Sequence, residues 1–228
     1  MLTPVESTAL ELSLRVGLWA VAGGLPIAIA LAYLLARGTF RGRALLAALV
    51  DLPLVLPPVV TGYALLLLFG RHGPIGAWLE SWFGIVVAFR WTGAAIAAAV
   101  MGLPLMVRAI KLSLDAIEPG LEQAAAGLGA PRSAVFATIT LPLALPGVLV
   151  GALLGFAKSL GEFGATITFV SNIPGETQTL PIAIYSLLQV PGSDAAVLRL
   201  VALSVVVSLG GVLAAELVAA RLRRRIAS

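Results

Sequence analysis

The sequence predicts an all-α fold, a polytopic membrane bundle of about five transmembrane helices built as a single domain over residues 1–228. Composition carries the first part of that prediction. Of the 228 residues 60% are hydrophobic and 11% charged, against roughly 45–50% apolar and about 25% charged in soluble domains. Mean hydropathy is +1.04. The second observation is that the apolar residues fall in runs long enough to cross a bilayer, leaving no stretch for a separate soluble domain. The third is the placement of the cations, which sit in small groups between those runs, a pattern of membrane topology and not of a nucleic-acid-binding face.

The N-terminus carries Glu6 and Glu11 before Arg15 and lacks the basic start of a secretory signal, so the first apolar run is expected to be retained. That run, about 16–36, would be roughly 31 Å long as a helix and suffices for the hydrocarbon core. A second, about 44–69, is interrupted by Asp51, Pro53, Pro57 and Pro58, which predicts an interfacial piece followed by a crossing. The third, about 92–110, follows Arg90 and Trp91, residues suited to the headgroup boundary. The fourth, about 143–170, is overlong and contains Lys158 and Glu162, and the fifth is about 200–220.

Cations beside the spans give an orientation, because the cytoplasmic side retains Lys and Arg. Ten lie on one side (Arg37, Arg41, Arg43, Arg108, Lys111, Arg132, Arg221, Arg223, Arg224, Arg225) and four on the other (Arg15, Arg71, Arg90, Arg199). The expectation is an N-terminus outside and a C-terminus in the cytoplasm, and an odd number of spans agrees with termini on opposite sides. The outer segment 71–91 holds Trp78, Trp82, Phe83 and Trp91 and reads as an amphipathic loop on the membrane surface.

The inner segment 111–141 is too polar to cross and too apolar to be disordered. Within it Pro119-Gly120 precedes Leu121, Ala124, Ala125 and Leu128 at i, i+3, i+4 and i+7, a short helix with a small apolar face. Gly127, Gly129 and Pro131 end it, and a second helix from Arg132 leads into the fourth span. Such a helix–turn–helix can sit in a cleft on a partner.

Gln123-Ala124-Ala125, Gly129, Ile139 and Leu141-Pro142 resemble, in spacing and identity, the EAA loop of importer-type ABC permeases. Gln123 departs from the motif's first Glu, with Glu122 beside it, so which of the two makes the polar contact is left open. The stretches 51–62 and 159–177, followed by Leu180-Pro181, resemble the molybdate permeases, with the sulfate permeases as near relatives. The resemblance runs from about residue 10 to 224 and implies a type I ABC importer permease fold. It further implies that Glu122, Gln123, Ala124, Ala125, Gly129, Ala130 and Pro131 form a coupling element that docks on an ATPase. The implied partners are a second copy of the chain, two ATP-binding cassette subunits, an extracytoplasmic oxyanion-binding protein and the bilayer of a bacterial or archaeal inner membrane. ATP and magnesium would be used by the ATPase, with no cofactor bound by this chain. The cargo that the resemblance implies is molybdate, with sulfate or tungstate as the alternatives and, less readily, a stand-alone channel or secondary transporter as another reading.

Ionisable residues within a span usually face a cavity or the bundle interior. Lys158 and Glu162, four apart, are expected to pair on one helix face, either beside a polar route or as a staple between helices. Thr166 and Thr168 are expected on the same span, with Gly161 and Gly164 allowing a neighbour to approach. Pro57 and Pro58 leave backbone carbonyls unpaired, tolerable at membrane depth only where protein or water covers them. The expected route is therefore lined by Pro57, Thr61, Lys158, Ser159, Glu162 and Thr166.

Rival classes meet specific obstacles. The chain has no cysteine and one histidine, His72, in an outer loop, so an H-E-x-x-H zinc site is excluded and a Ser–His mechanism would depend wholly on His72. Lys111 and Lys158 are the only lysines and neither sits in a G-x-x-x-x-G-K-[ST] loop, so ATP would be hydrolysed by another chain. A stand-alone channel or secondary transporter often carries internal repeats, which the two halves lack, and has no use for an ATPase-docking loop.

Overall fold

The computed structural model describes residues 3–226, leaving aside the side chains of 214–216 and 218–226. Arg221, Arg223, Arg224 and Arg225, which entered the charge count, lie outside the described side chains. The described residues form helices and no strand. Helices α1 (Pro4–Arg37), α5 (Trp91–Asp115) and α11 (Asp194–Ile226) are long and continuous. A fourth long helix is composite: α7 (Arg132–Val135) runs through a π-helical turn, Phe136–Thr140, into α8 (Leu141–Leu160). These four are long and apolar enough to cross a membrane, and a fifth crossing is made if α2 (Arg43–Val55) and α3 (Pro58–Phe69), bent by 113°, count as one span.

Helix α1 starts twelve residues before the expected boundary at 16. Thr3 and Glu6 form a capping box, Thr3 N–H donating to Glu6 Oε2 (2.7 Å) and Glu6 N–H to Thr3 Oγ1 (3.3 Å). Glu6 is buried because Arg199 of α11 reaches it at 2.9 Å, a partner 193 residues away.

At the centre α5 packs between α1 and α8. Its buried face is mostly small, with Gly93, Ala94, Ala95, Ala97, Ala98 and Gly102, so backbones come close together. On α8, Gly147, Gly151 and Gly155 repeat every four residues and face α5: a Cβ on Gly147 would stand 2.2 Å from Ser113 Cβ, and one on Gly155 2.8 Å from Met106. This stripe drives association by close packing, which matters in lipid, where burial of apolar side chains gains little.

The expected fourth span, 143–170, is corrected. Helix α8 stops at Leu160, residues 161–163 break the ladder, and α9 (Gly164–Val170) is a separate short helix. Glycine at 161 caps α8, and the Glu162 carboxylate serves the first turn of α9 instead of continuing α8. Thr166 and Thr168 therefore lie on α9, not on the span that carries Lys158. Helix α10 (Leu180–Leu188) follows; nine residues are too few to cross, and the sequence reading did not separate it from its loop. In the segment 71–91, α4 (Pro74–Phe83) leaves Trp78, Trp82 and Phe83 exposed, as an interfacial helix requires.

Candidate functional site

Two places gather the residues singled out above. In the first, the break at 161–163 lies against the start of α3. A Cβ on Gly164 would come 2.7 Å from Pro58 Cβ, and one on Gly62 2.4 Å from the Ala165 carbonyl oxygen, so α3 and α9 touch backbone to backbone. Gly161, by contrast, has no neighbour within 4 Å of where a Cβ would stand.

Glu162 lies two residues past the end of α8 and still meets Lys158, Oε2 standing 2.5 Å from Nζ. Its other oxygen accepts from Ala165 N–H at 3.0 Å, occupying an orphan donor of α9. The Glu162 side chain is 2% exposed, while Lys158 keeps 29%. One end of this pair is thus fixed in the protein and the other is open.

The remaining candidates divide. Pro57 is exposed at the bend between α2 and α3. Thr61 is buried with Oγ1 unpartnered, an anomaly for a group out of water. Thr166 is fully buried. Ser159 faces α1, its Cβ 3.7 Å from where a Cβ on Gly17 would be, and its hydroxyl donates to Gly155 O at 2.7 Å.

Beyond α9 the chain reverses at Ser171 (φ 63°), and Thr177 holds the loop closed by accepting from Ile173 N–H (2.9 Å) and donating to Ser171 O (3.0 Å). Leu180 N–H then donates to Ser13 Oγ of α1 at 2.7 Å. No local pattern reports this attachment, nor the Arg108–Asp51 ion pair (2.9 Å) that ties α5 to α2.

The second place is α6 (Pro119–Gly127) with α7. No residue of α6 is buried; Leu121 and Leu128, at its two ends, are 49% and 91% exposed. Ala124 and Gln123 are exposed and Ala125 half-buried. Gly129 takes φ 88°, the left-handed conformation that stops the helix, and Pro131 caps α7. An apolar patch so placed is a surface awaiting a cover.

Glu122 points the other way. Its Oε2 accepts from Arg37 Nε at 2.9 Å and its Oε1 from Thr140 Oγ1 at 2.7 Å, and Arg37 also donates to Ile117 O at 3.4 Å. Between the end of α1 and α6–α7 lies an open cleft of about 910 Å³, lined by Tyr33, Arg37, Glu122, Gln123, Arg132 and Phe136 among others. Sequence reasoning counted Arg37 only as a boundary charge and did not notice Thr140. Their partner is 85 and 18 residues away respectively, and no local periodicity reports on it.

Among the described residues no group of three or more His, Cys, Asp or Glu is placed to hold a metal ion. His72 is exposed.

The family described as binding-protein-dependent transport system inner membrane component matches residues 24–224. The molybdenum transport system permease protein ModB of Escherichia coli K12 is 56% identical over 225 residues, 99% of this chain and 98% of the relative. That of Haemophilus influenzae is 52% identical over 222 residues, 97% of each. Among solved structures, a bacterial ABC transporter involved in the import of the acidic polysaccharide alginate superposes with a TM-score of 0.75 at 20% identity, covering 96% of this chain and 80% of that one. The last likeness concerns the fold alone.

Proposed function

The chain belongs to the binding-protein-dependent transport system inner membrane components, and from that membership we propose that it carries molybdate across the inner membrane by alternating access. It is the permease subunit of an ABC importer, related to the molybdate permeases, and works with a separate ATPase. The observation that carries the cargo assignment is the identity to the molybdenum permease over practically the whole chain.

In this reading the exposed face of α6, with Gln123, Ala124, Ala125, Gly129, Ala130 and Pro131, docks on the ATPase. A partner shifts an equilibrium between two access states only through a difference in its affinity for them, so α6 must be held differently by open and closed ATPases. A short helix ended sharply by a left-handed glycine suits that task. The polar route runs past the α3–α9 junction, where Lys158 offers an ammonium with an open side and Thr61 an unpartnered hydroxyl. The assembly is a pair of these chains with two ATPase subunits and an extracytoplasmic binding protein. ATP and magnesium are handled by the ATPase, and this chain is not itself an enzyme. The N-terminus lies outside and the C-terminus in the cytoplasm, supported by the ten-to-four distribution of cations.

Competitive uptake of labelled oxyanions into vesicles, with the matching binding protein and ATPase, tests the cargo. Molybdate is expected to be taken up and to be displaced by unlabelled molybdate far better than by sulfate. Preferential uptake of sulfate would reassign the chain to the related sulfate permeases. Equal displacement by tungstate would broaden the cargo to both tetrahedral dianions. Uptake that needs no ATPase would make the chain a channel or secondary transporter.

A further inference from the structure

We propose that Arg37 and Thr140 are positioning residues that clamp the coupling segment to the bundle through Glu122, so that α6 moves α1 and α8 together. The proposal rests on the reading that α6 is the ATPase's docking site and concerns what lies behind that site.

A docked helix transmits force only if it is fixed to what it moves. Yet α6 buries no residue of its own, so packing holds it only weakly. Among the described residues, the side-chain hydrogen bonds that join α6 to the rest of the chain are the two made by Glu122. Both carboxylate oxygens are used, one on each element: Arg37 is the last residue of α1, and Thr140 ends the π-helical turn that opens into α8. The three side chains form one knot at the meeting point of three elements. Arg37 and Glu122 are 21% and 18% exposed, so the pair is largely held within the protein although one side faces the cleft.

The knot also settles a division of labour that the motif leaves open. Each carboxylate oxygen of Glu122 is already held by an inward partner in this arrangement, whereas its neighbour Gln123 is exposed. Glu122 is therefore the inward anchor and Gln123 the outward polar contact. Helix α1 extends the reach of the clamp, because it runs uninterrupted to Ser13 and Glu6, which hold Leu180 and Arg199 near its other end. Displacement of α6 is thereby passed along one rod to the loop before α10 and to α11.

The test uses the full complex with its ATPase and binding protein in proteoliposomes, reading ATPase co-purification, ATP turnover and labelled molybdate uptake. Arg37→Gln and Glu122→Gln are expected to keep the ATPase bound but to lower uptake per ATP hydrolysed about tenfold, within the usual range of coupling free energies. The exchanged pair, Arg37→Glu with Glu122→Arg, is expected to recover most of the loss, which a merely structural defect would not do. An unchanged ratio in both single variants overturns the proposal, as does an exchanged pair no better than either. Release of the ATPase by Glu122→Gln would also overturn it, since Glu122 would then be a docking residue. Failure of the unaltered chain to hold the ATPase would instead remove the docking reading, and this inference with it. Should the single variants fail to accumulate, the absence of native cysteine offers a second route. Arg37→Cys with Glu122→Cys, joined by a short bifunctional thiol reagent, is expected to regain coupling on cross-linking; a cross-linked complex that stays uncoupled rejects the clamp.

Discussion

The α1–α5–α8 core and the α2–α3–α9 region solve the same problem in opposite ways. In the core the helices run on without a break although Pro26, Pro104 and Pro146 each remove one ladder donor, and they are drawn together by glycine and alanine faces such as Gly147, Gly151 and Gly155. In the second region both spans are interrupted, and freed backbone groups must find partners without water. Glu162 serves one such amide, prolines at 57 and 58 remove donors, and the buried Thr61 hydroxyl is left without a partner. One region is made stiff by close contact, and the other concentrates polar groups where its helices are broken. Ionisable side chains therefore gather at the breaks because the breaks need them, and that is also where a dianion could find a counter-charge.

The sharpest attack on this contrast is steric. Gly147→Val would push side-chain atoms into Ser113 and the Ala109 carbonyl, which a Cβ alone would already meet at 2.2 and 2.9 Å. The expected cost is about 3 kcal/mol or more, seen as lost yield or a much lower unfolding temperature in detergent. Gly23→Ala, with nothing within 4 Å, is the control and should be neutral or slightly stabilising. Equal damage from both would mean that the stripe is not what holds the core.

The next largest effect is expected at the break. Glu162→Ala strips Lys158 of its counter-charge and Ala165 of its acceptor. The cost should be about 2 kcal/mol, less than for a sealed ion pair because Lys158 keeps contact with the surroundings. Lys158→Ala should cost less, and the double variant should be less damaged than the sum of the two. Uptake of labelled molybdate is expected to fall in all three; full activity in each would take the pair off the route.

What was legible in the sequence follows the same contrast. The spans at 16–36 and 92–110 were readable because an unbroken apolar run is itself the reason a helix crosses lipid. The bend near Pro57 was readable because proline's missing donor is a local fact. The end of α8 at Leu160 was not, since Gly161 is unremarkable in a membrane helix and Glu162 becomes a cap only once α9 has folded back. The first turns of α1 were hidden for a related reason: Glu6 resembles a residue that excludes lipid until Arg199 is brought beside it. In the inner segment, periodicity and Gly129 were enough to draw α6 and its end, while the inward turn of Glu122 depended on α1 and could not be read locally.

Smaller effects refine the picture at the docking end. Gly129→Ala forces a side chain into φ 88°, at about 1 kcal/mol, and should weaken ATPase co-purification without abolishing insertion. His72→Ala should change stability by less than about 0.5 kcal/mol and leave uptake intact, because the imidazole is exposed; lost uptake would reopen a chemical role for it.

The exposed face of α6 is the proposed seat of the ATPase. Ala124→Trp adds bulk at an exposed position on that face and disturbs nothing that the fold buries. Co-purification of the ATPase with this variant is the direct measurement. The account predicts a chain that inserts and accumulates normally but has lost its ATPase and its uptake. A variant that retains stoichiometric ATPase and imports molybdate at the normal rate would contradict it.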